Sequence, residues 1–193
     1  MSSASRAAVF LDKDGTLVED VPYNVDPARV RLAPGAAAAL AALHAAGYRL
    51  AVVSNQSGVA RGLFPEAALA AVWRRLAELL PGVPLAGCYY CPHHPAGAAP
   101  AYAVECDCRK PAPGLVLRAA RELGVEPRRS WVVGDILDDV EAGRRAGCRT
   151  VLIDNGHETE WDLSPGRRPH FRAPDLAGAA RVILAAGPPD AGP

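Results

Sequence analysis

Short apolar segments alternate with longer stretches of helical periodicity along most of the chain. Apolar runs of three to six residues predict buried strands, and these lie at 8–11, 48–53, 85–90, 131–133 and 150–153. Apolar residues at helical spacing, with Pro or Gly at many segment ends, predict helices at 34–46, 65–80, 113–123, 139–146 and 175–185. This alternation is typical of an α/β fold, in which crossover helices cover both faces of a parallel sheet.

The chain has 193 residues, which is enough for one domain with a single large core. We expect residues 1–186 to form that domain and the Gly- and Pro-rich residues 187–193 to form a disordered tail. The segment 91–108 contains three prolines and shows no periodicity, so it is predicted to be a loop insertion. A loop of this length needs a structural reason to be ordered.

The predicted sheet also indicates where a ligand would bind, because open parallel sheets bind ligands at the carboxyl ends of their strands. Asp12 and Asp14 follow the first strand, within Phe-Leu-Asp-Lys-Asp-Gly-Thr-Leu at 10–17. Two carboxylates in one crevice repel each other unless a cation lies between them, so the pattern favours a Mg²⁺ site over a solvated turn. One carboxylate can attack phosphorus to form an aspartyl phosphate, and the other can exchange a proton with the leaving group and with water.

Two further motifs suit phosphate. The segment 54–62, Ser-Asn-Gln-Ser-Gly-Val-Ala-Arg-Gly, offers the Ser54 hydroxyl and free backbone N–H groups, although an ordinary polar loop is the alternative. Arg61 in this segment either holds a second anionic group or is solvated. Arg109 and Lys110 come just before a helix, where Lys110 offers a mobile point charge and Arg109 a forked donor. An ordinary basic pair at the start of a helix is the alternative for these two.

The fourth motif, Val-Gly-Asp-Ile-Leu-Asp-Asp at 133–139, supplies three carboxylates after another predicted strand. Asp135 at the strand end is placed to complete the metal site. Asp139 lies one helical turn further on, where it orients Lys110 or coordinates the metal through water. Asp138 is expected to be the N-cap of the following helix.

The predicted loop insertion contains a metal-binding pattern. Its candidate ligands are Cys91, His93, Cys106 and Cys108. Four soft ligands suit a tetrahedral Zn²⁺ and close its coordination shell, so the zinc would be structural and would order the loop. Unligated cysteines in a mobile loop are the alternative. Cys88 is a rival ligand, but it lies in an apolar strand, and we expect both Cys88 and Cys148 to be core residues.

Charge and hydropathy exclude several classes of protein. Lys plus Arg and Asp plus Glu both number 21, so the formal net charge is zero, which argues against a nucleic-acid binder or a binder of anionic membranes. No apolar run approaches the ~18–20 residues of a membrane helix, and no apolar signal core precedes the first strand. The five cysteines are an odd number, which favours metal ligation or burial over disulfides. We expect a cytoplasmic protein and, since no coiled-coil pattern is present, a monomer.

The four motifs described above supply carboxylate, hydroxyl and ammonium groups. In their order along the chain, they resemble the signatures of the haloacid dehalogenase superfamily of aspartate-nucleophile phosphatases. The resemblance covers most of the chain and implies a Rossmann-like three-layer sandwich around a mostly parallel sheet. It implies that Asp12 is the nucleophile and Asp14 the general acid and base. It also implies that Ser54 and Lys110 bind the phosphoryl group, and that Mg²⁺ is bound by Asp12, Asp135 and the backbone carbonyl of Asp14.

The loop motif Cys-Pro-His-His-Pro…Cys-Asp-Cys-Arg-Lys-Pro, together with the segment 54–62, resembles the D-glycero-D-manno-heptose 1,7-bisphosphate 7-phosphatases. This resemblance implies hydrolysis of the 7-phosphate in nucleotide-activated heptose biosynthesis. Asn55 and Gln56 would then contact substrate, and Arg61 and Arg109 would hold its second phosphate. No large cap domain fits between the motifs, so short elements and the loop must shape the pocket.

Two alternatives remain for the function. Histidinol-phosphate phosphatases share the zinc loop but tend to have a shorter one and to lack the Ser-Gly-x-Ala-Arg-Gly run, so histidinol phosphate or another small sugar phosphate is the nearer alternative. A non-catalytic phosphosugar-binding module is the more distant one. Two features depart from the heptose phosphatases. Ile136 stands where they have a basic residue, and the segment 154–161 looks unlike theirs, so we expect only a surface loop there with Trp161 packed down.

Overall fold

The computed structural model describes residues 7–187. They contain one six-stranded sheet in the order β3-β2-β1-β4-β5-β6, and every neighbouring pair is parallel. The strands are β1 Ala8–Leu11, β2 Arg49–Asn55, β3 Leu85–Cys91, β4 Trp131–Gly134, β5 Arg149–Ile153 and β6 Phe171–Ala173. The predicted α/β fold with a parallel sheet is therefore confirmed.

Five α-helices join or follow the strands, and each lies within a few residues of its predicted position. They are α1 Ala36–Ala45, α2 Leu69–Glu78, α3 Gly114–Leu123, α4 Leu137–Arg145 and α5 Leu176–Ala186. Short 3₁₀ turns occur at Pro27–Arg29, Glu66–Ala68, Pro127–Arg129 and Pro165–Arg167. Apart from Gly187, the predicted tail lies outside the described residues.

The side chains of each central strand alternate between two apolar layers. Val9 and Leu11 of β1 point into a cluster that includes buried residues of α1, α2 and α5. Ala8 and Phe10 point into a second cluster that includes Leu115 and Val116 of α3. The sheet is therefore covered on both faces by apolar side chains. Cys148 is buried in the second cluster and Cys88 packs against the first, as expected.

The strand order places the polar motifs together. The chain crosses from β1 to β2 on one side and later to β4 on the other, so the loops after β1 and β4 diverge at the carboxyl edge and leave a crevice between them. Asp12 follows β1, Ser54 and Asn55 end β2, and Asp135 follows β4. The loop 91–108 leaves β3 at the same edge. Within residues 7–187, no helix has both the length and the apolar content needed to cross a bilayer.

Two details of the sequence-based description were wrong. Asp138 does not cap α4, because the helix begins at Leu137 with Ile136 at the N-cap position. The Asp138 carboxylate lies in the first turn and pairs with Arg167 at 3.2 Å. The strand β6 was missed because it has only three residues and carries no alternation long enough to detect.

Gly143 of α4 tests how closely this helix packs on the sheet. A Cβ atom there would lie 2.7 Å from Thr150 Cγ2 and 2.8 Å from Val132 Cβ. We expect Gly143→Ala to lower the free energy of unfolding by about 1–2 kcal/mol, because overpacking costs up to about 3 kcal/mol and exceeds the gain in helix propensity of about 1 kcal/mol. Urea denaturation measures the difference. Gly166→Ala is the control, since nothing lies within 4 Å of its added methyl. Equal stability of the two variants would contradict the close packing.

Candidate active site

Lys110 joins three of the predicted motifs. Its Nζ donates to Asp12 Oδ1 at 2.6 Å and to the carbonyl oxygen of Val53 at 3.0 Å, and it forms a short contact with Asp139 Oδ1. The backbone N–H of Asp12 in turn donates to the Val133 carbonyl at 2.9 Å, which fixes the start of the first motif against β4. Asp139 therefore orients Lys110, which was one of the two roles considered for it.

Burial shapes the charges of this group. Lys110 is 2 % exposed, and burial acts to favour its neutral amine, but the charges of Asp12 and Asp139 outweigh that effect and raise the pKa of Lys110 above its ordinary range. Burial also raises the pKa of Asp139, with the charge of Asp12 adding to the effect and Lys110 opposing it. Lys110 is thus held in its ammonium form, with its positive charge next to Asp12.

Asp135 is held by two side chains that sequence reasoning did not assign. Thr16 Oγ1 donates to Asp135 Oδ1 at 3.2 Å, and His157 Nδ1 lies 2.6 Å from Asp135 Oδ2. Burial, with the charge of Asp12, raises the pKa of Asp135 to about 6, although the contact with His157 acts to lower it. Thr16 was visible in the first motif but has no distinctive spacing to a partner. His157 had no sequence signal at all.

Asp14 has a different environment from Asp12. Lys13 Nζ makes a short contact with Asp14 Oδ1, and Gln56 Nε2 donates to Asp14 Oδ2 at 3.2 Å. Gln56 Nε2 also donates to Ser54 Oγ at 2.9 Å, so the second motif touches the first. Burial raises the pKa of Asp14, and the Asp12 charge adds to this while Lys13 opposes it. A raised pKa suits a carboxyl group that must carry a proton at one stage and release it at another.

The other predicted substrate residues lie around this group, with different partners. Asn55 Oδ1 accepts from the Lys110 backbone N–H and Asn55 Nδ2 donates to the Lys110 carbonyl, both at 3.1 Å. Asn55 therefore braces the lysine backbone, and its side chain also lines a cleft of about 240 Å³ with Asp14 and Gln56.

Arg61 and Arg109 both contact the loop 91–108. Arg61 Nη2 lies 3.3 Å from His94 Nε2, and Arg109 Nη1 donates to the His93 carbonyl at 3.4 Å. His94, Arg109 and Lys110 line one groove of about 350 Å³. Arg109 thus lies beside Lys110 in this groove, and Arg61 reaches the groove through its contact with His94.

The residues Cys91, His93, Cys106 and Cys108 converge as expected. The three Sγ atoms lie 3.3–3.5 Å apart, and His93 Nδ1 lies 3.8 Å from Cys91 Sγ and 3.6 Å from Cys108 Sγ. Sulfur atoms about 2.3 Å from a central ion would be about 3.8 Å apart in a tetrahedron, so the donor set fits Zn²⁺. Cys88 lies outside this group.

The thiols of this cluster favour a bound cation. Burial raises the pKa of Cys91 and of Cys108. Burial acts in the same direction on Cys106, but hydrogen bonds with the Cys108 and Cys91 thiols lower the pKa of Cys106 overall. The three thiols thus influence one another, and a divalent cation would compensate the thiolates that a closed site requires.

A second group of possible metal ligands consists of carboxylates. Carboxylate oxygens of Asp12, Asp135 and Asp139 lie within 4.8 Å of one another. Lys110 contacts one oxygen of Asp12 and one of Asp139, but the second Asp139 oxygen also accepts from the backbone N–H of Ile136 at 3.4 Å, which favours Asp12 and Asp135 as the carboxylates for a cation. Two buried carboxylates that share one crevice fit Mg²⁺, whose charge would offset their repulsion.

The segment 154–161 is not the plain surface loop that was expected. Asn155 Nδ2 donates to the Gly15 carbonyl at 2.8 Å, so the segment reaches the first motif. Trp161 was expected to pack down, but it is 43 % exposed. The Arg172 guanidinium lies over its ring, 4.8 Å from the ring centroid.

Comparison with known proteins shows the family of this chain. The model of the HAD-hydrolase-like family matches residues 107–179. The D-glycero-beta-D-manno-heptose-1,7-bisphosphate 7-phosphatase of Pasteurella multocida is 43 % identical over 154 residues, which are 78 % of this chain and 83 % of that protein. The enzyme of the same name from Mesorhizobium japonicum is 44 % identical over 161 residues, which are 82 % of this chain and 73 % of that protein.

The fold is also shared with a solved structure of the same kind. The D,D-heptose 1,7-bisphosphate phosphatase of B. bronchiseptica, crystallised with magnesium and phosphate, superposes with a TM-score of 0.75 at 33 % identity, covering 93 % of this chain and 99 % of that one. The chain belongs to the haloacid dehalogenase-like hydrolases and, among them, to the family of the D-glycero-beta-D-manno-heptose-1,7-bisphosphate 7-phosphatases.

Proposed function

We propose that the protein is a Mg²⁺-dependent phosphatase that hydrolyses the 7-phosphate of D-glycero-D-manno-heptose 1,7-bisphosphate in nucleotide-activated heptose biosynthesis. The observation that carries the proposal is the convergence of Asp12, Lys110 and Asp135 at the carboxyl edge of the sheet. The substrate is taken from the relatives, which are named for this reaction. Such a substrate carries two phosphate groups, each with about −1.5 to −2 charge at pH 7, and does not cross a bilayer, so we place the enzyme in the cytoplasm. We also propose that it is a monomer.

In the proposed first step, an Asp12 oxygen attacks the phosphorus of the 7-phosphate and the bond from phosphorus to the sugar oxygen breaks. Asp14 gives its proton to that leaving oxygen, which the raised pKa of Asp14 makes possible. The result is an aspartyl phosphate on Asp12 and a free sugar hydroxyl. In the second step, Asp14 takes a proton from water as the water oxygen attacks phosphorus, and Asp12 is released with inorganic phosphate.

Positive charge is needed around the transferred phosphoryl group, because its oxygens carry the charge of the transition state. Lys110 and the Ser54 hydroxyl are the protein groups proposed to bind these oxygens. Mg²⁺, held by Asp12 and Asp135 with the Asp14 backbone carbonyl, would neutralise further charge and orient the phosphate. The three N–H donors of Lys110 are engaged by Asp12, Asp139 and Val53, so a phosphoryl oxygen would take the place of one of these acceptors while the others keep the ammonium in position.

The second phosphate of the substrate requires its own cationic groups. Arg61 and Arg109 are proposed for this role, since both lie at the rim and both rest on the loop 91–108. Zn²⁺ bound by Cys91, His93, Cys106 and Cys108 would be structural, because four protein ligands leave no open position on the metal.

Removing the nucleophile tests the chemical step. We expect Asp12→Asn to lower kcat by more than about a thousandfold, because the amide cannot form the covalent intermediate. Lys110 retains its contact with Asp139, so thermal unfolding should show an intact fold. Phosphate release measures the activity, and Glu122→Gln, an exposed carboxylate on α3, is the control for loss of a surface charge. Phosphatase activity retained by Asp12→Asn would contradict the covalent mechanism.

The substrate is tested by a comparison of three phosphate esters at equal concentration. We expect kcat/KM to be highest for one of the two anomers of D-glycero-D-manno-heptose 1,7-bisphosphate and much lower for histidinol phosphate, because only the bisphosphate uses both the Lys110 site and the rim arginines. Phosphorus NMR of the product should show loss of the 7-phosphate signal alone. Higher kcat/KM with histidinol phosphate would favour the nearer alternative, and no turnover of any ester would favour the binding module.

Zinc is tested through stability. Purified protein should contain one zinc per chain, and Cys106→Ala should remove it and lower Tm by about 4–8 °C, since a loss of about 2 kcal/mol shifts Tm by 2–4 °C per kcal/mol in a chain of this size. We expect loss of zinc to lower Tm as stated but to change kcat little, because the catalytic carboxylates are not zinc ligands. Cys88→Ala is the matched control and should keep the zinc. Unchanged melting of zinc-free protein would refute the structural role.

A further inference from the structure

The segment 154–163 after β5 makes side-chain contacts with two catalytic loops at once. Asn155 Nδ2 donates to the Gly15 carbonyl at 2.8 Å in the loop after β1. His157 Nδ1 lies 2.6 Å from Asp135 Oδ2, and Glu158 Oε2 accepts from the backbone N–H of Leu137 at 2.6 Å, both in the segment after β4. Three polar contacts therefore hold this segment, which belongs to none of the four motifs, against the crevice where the carboxylates meet.

We propose that His157 is a positioning residue that holds the Asp135 carboxylate in the orientation required for Mg²⁺. The inference rests on the proposed function, because it assigns Asp135 to the metal. Thr16 donates to one oxygen of Asp135 and His157 lies against the other, so rotation of the carboxylate is restricted from both sides. A ligand that is already oriented loses less conformational freedom when the metal binds.

Gly15 leaves the space in which His157 contacts Asp135. Gly15 has a φ of +76°, and a Cβ atom there would lie 2.2 Å from Asp135 Oδ2 and 2.4 Å from His157 Nδ1. A side chain at this position would therefore occupy the space in which the imidazole meets the carboxylate. The turn that directs Asp12 and Asp14 into the crevice thus also leaves room for His157.

The backbone of His157 is also held by a hydrogen bond. The backbone N–H of His157 donates to Asn155 Oδ1 at 3.3 Å, so the residue that anchors the segment on Gly15 also fixes the His157 backbone. The His157 side chain is 39 % exposed, whereas that of Asp135 is 6 % exposed. His157 therefore stands between the buried carboxylate and solvent, on the outer side of the crevice.

The inference is tested by titrating Mg²⁺ into magnesium-free, zinc-loaded protein by calorimetry at one fixed pH. We expect His157→Leu to weaken Mg²⁺ binding roughly 10- to 100-fold, as loss of a group that orients a metal ligand does. His157→Asn should recover most of the affinity, since its amide nitrogen replaces Nδ1. His44→Asn on α1 is the matched control and should bind as the unaltered protein does. At saturating Mg²⁺, the His157→Leu variant should regain kcat with an unchanged KM for the sugar bisphosphate.

Several results would overturn the proposal. They are unaltered Mg²⁺ affinity in His157→Leu, tighter binding that would show the imidazole competing with the cation, and failure of His157→Asn to recover affinity. If His157→Leu does not fold, His157→Gln is the replacement variant. The amide of this longer side chain lies one bond beyond the Nδ1 position, so it should not restore the contact with Asp135. Asp135→Asn separates the two levels of the argument: Mg²⁺ binding retained there would contradict the proposed metal site itself, whereas binding lost there and unaffected by His157 variants would contradict the positioning role alone.

Discussion

The ammonium group of Lys110 lies buried between two carboxylates and a strand carbonyl, and the arrangement of the catalytic edge depends on it. A buried ammonium is stable only when its charge is compensated, and removing one partner leaves an uncompensated charge in a region with little water. Asp12, Asp139 and Val53 come from three separate segments of the chain, so this requirement brings those segments to one point. The same interaction that brings these segments together therefore also fixes a positive charge beside Asp12, the proposed nucleophile.

The sheet makes this convergence possible. Because β1 lies between β2 and β4, the residues after these three strands leave the sheet at neighbouring positions on the same edge. The two carboxylates of the first motif then acquire different roles through their neighbours. Asp12 faces Lys110 and the crevice, while Asp14 lies against Lys13 and Gln56 and has its pKa raised by burial. Two acidic residues separated by one position in the sequence can in this way serve as nucleophile and proton carrier.

The fold and the motifs that end strands could be predicted from the sequence, because hydrophobic periodicity and parallel topology determine them locally. The convergence of the zinc-loop ligands followed from their spacing. Asp138 was misjudged because Asp at a helix start suits several positions, and here the N-cap is Ile136. His157 and Thr16 could not be predicted as partners of Asp135, since their contacts join residues 22 and 119 positions apart and no local pattern encodes such a pair. The exposure of Trp161 likewise depends on the path of a loop that has no regular structure.

The loop 91–108 carries both the Cys/His cluster and the residues that contact Arg61 and Arg109. The stability of the loop and the placement of these arginines are therefore linked. His93 supplies a ring nitrogen to the cluster, while its backbone carbonyl accepts from Arg109. His94, the next residue, lies against Arg61. Both arginines are thus positioned by consecutive residues whose own place is set by the cluster, whereas Asp12 and Lys110 are held by the sheet. Under the proposed roles, loss of a metal from this cluster would disturb recognition of the second phosphate by the two arginines before it disturbed the chemistry at the 7-phosphate, because only the arginines rest on a loop outside the core of the sheet.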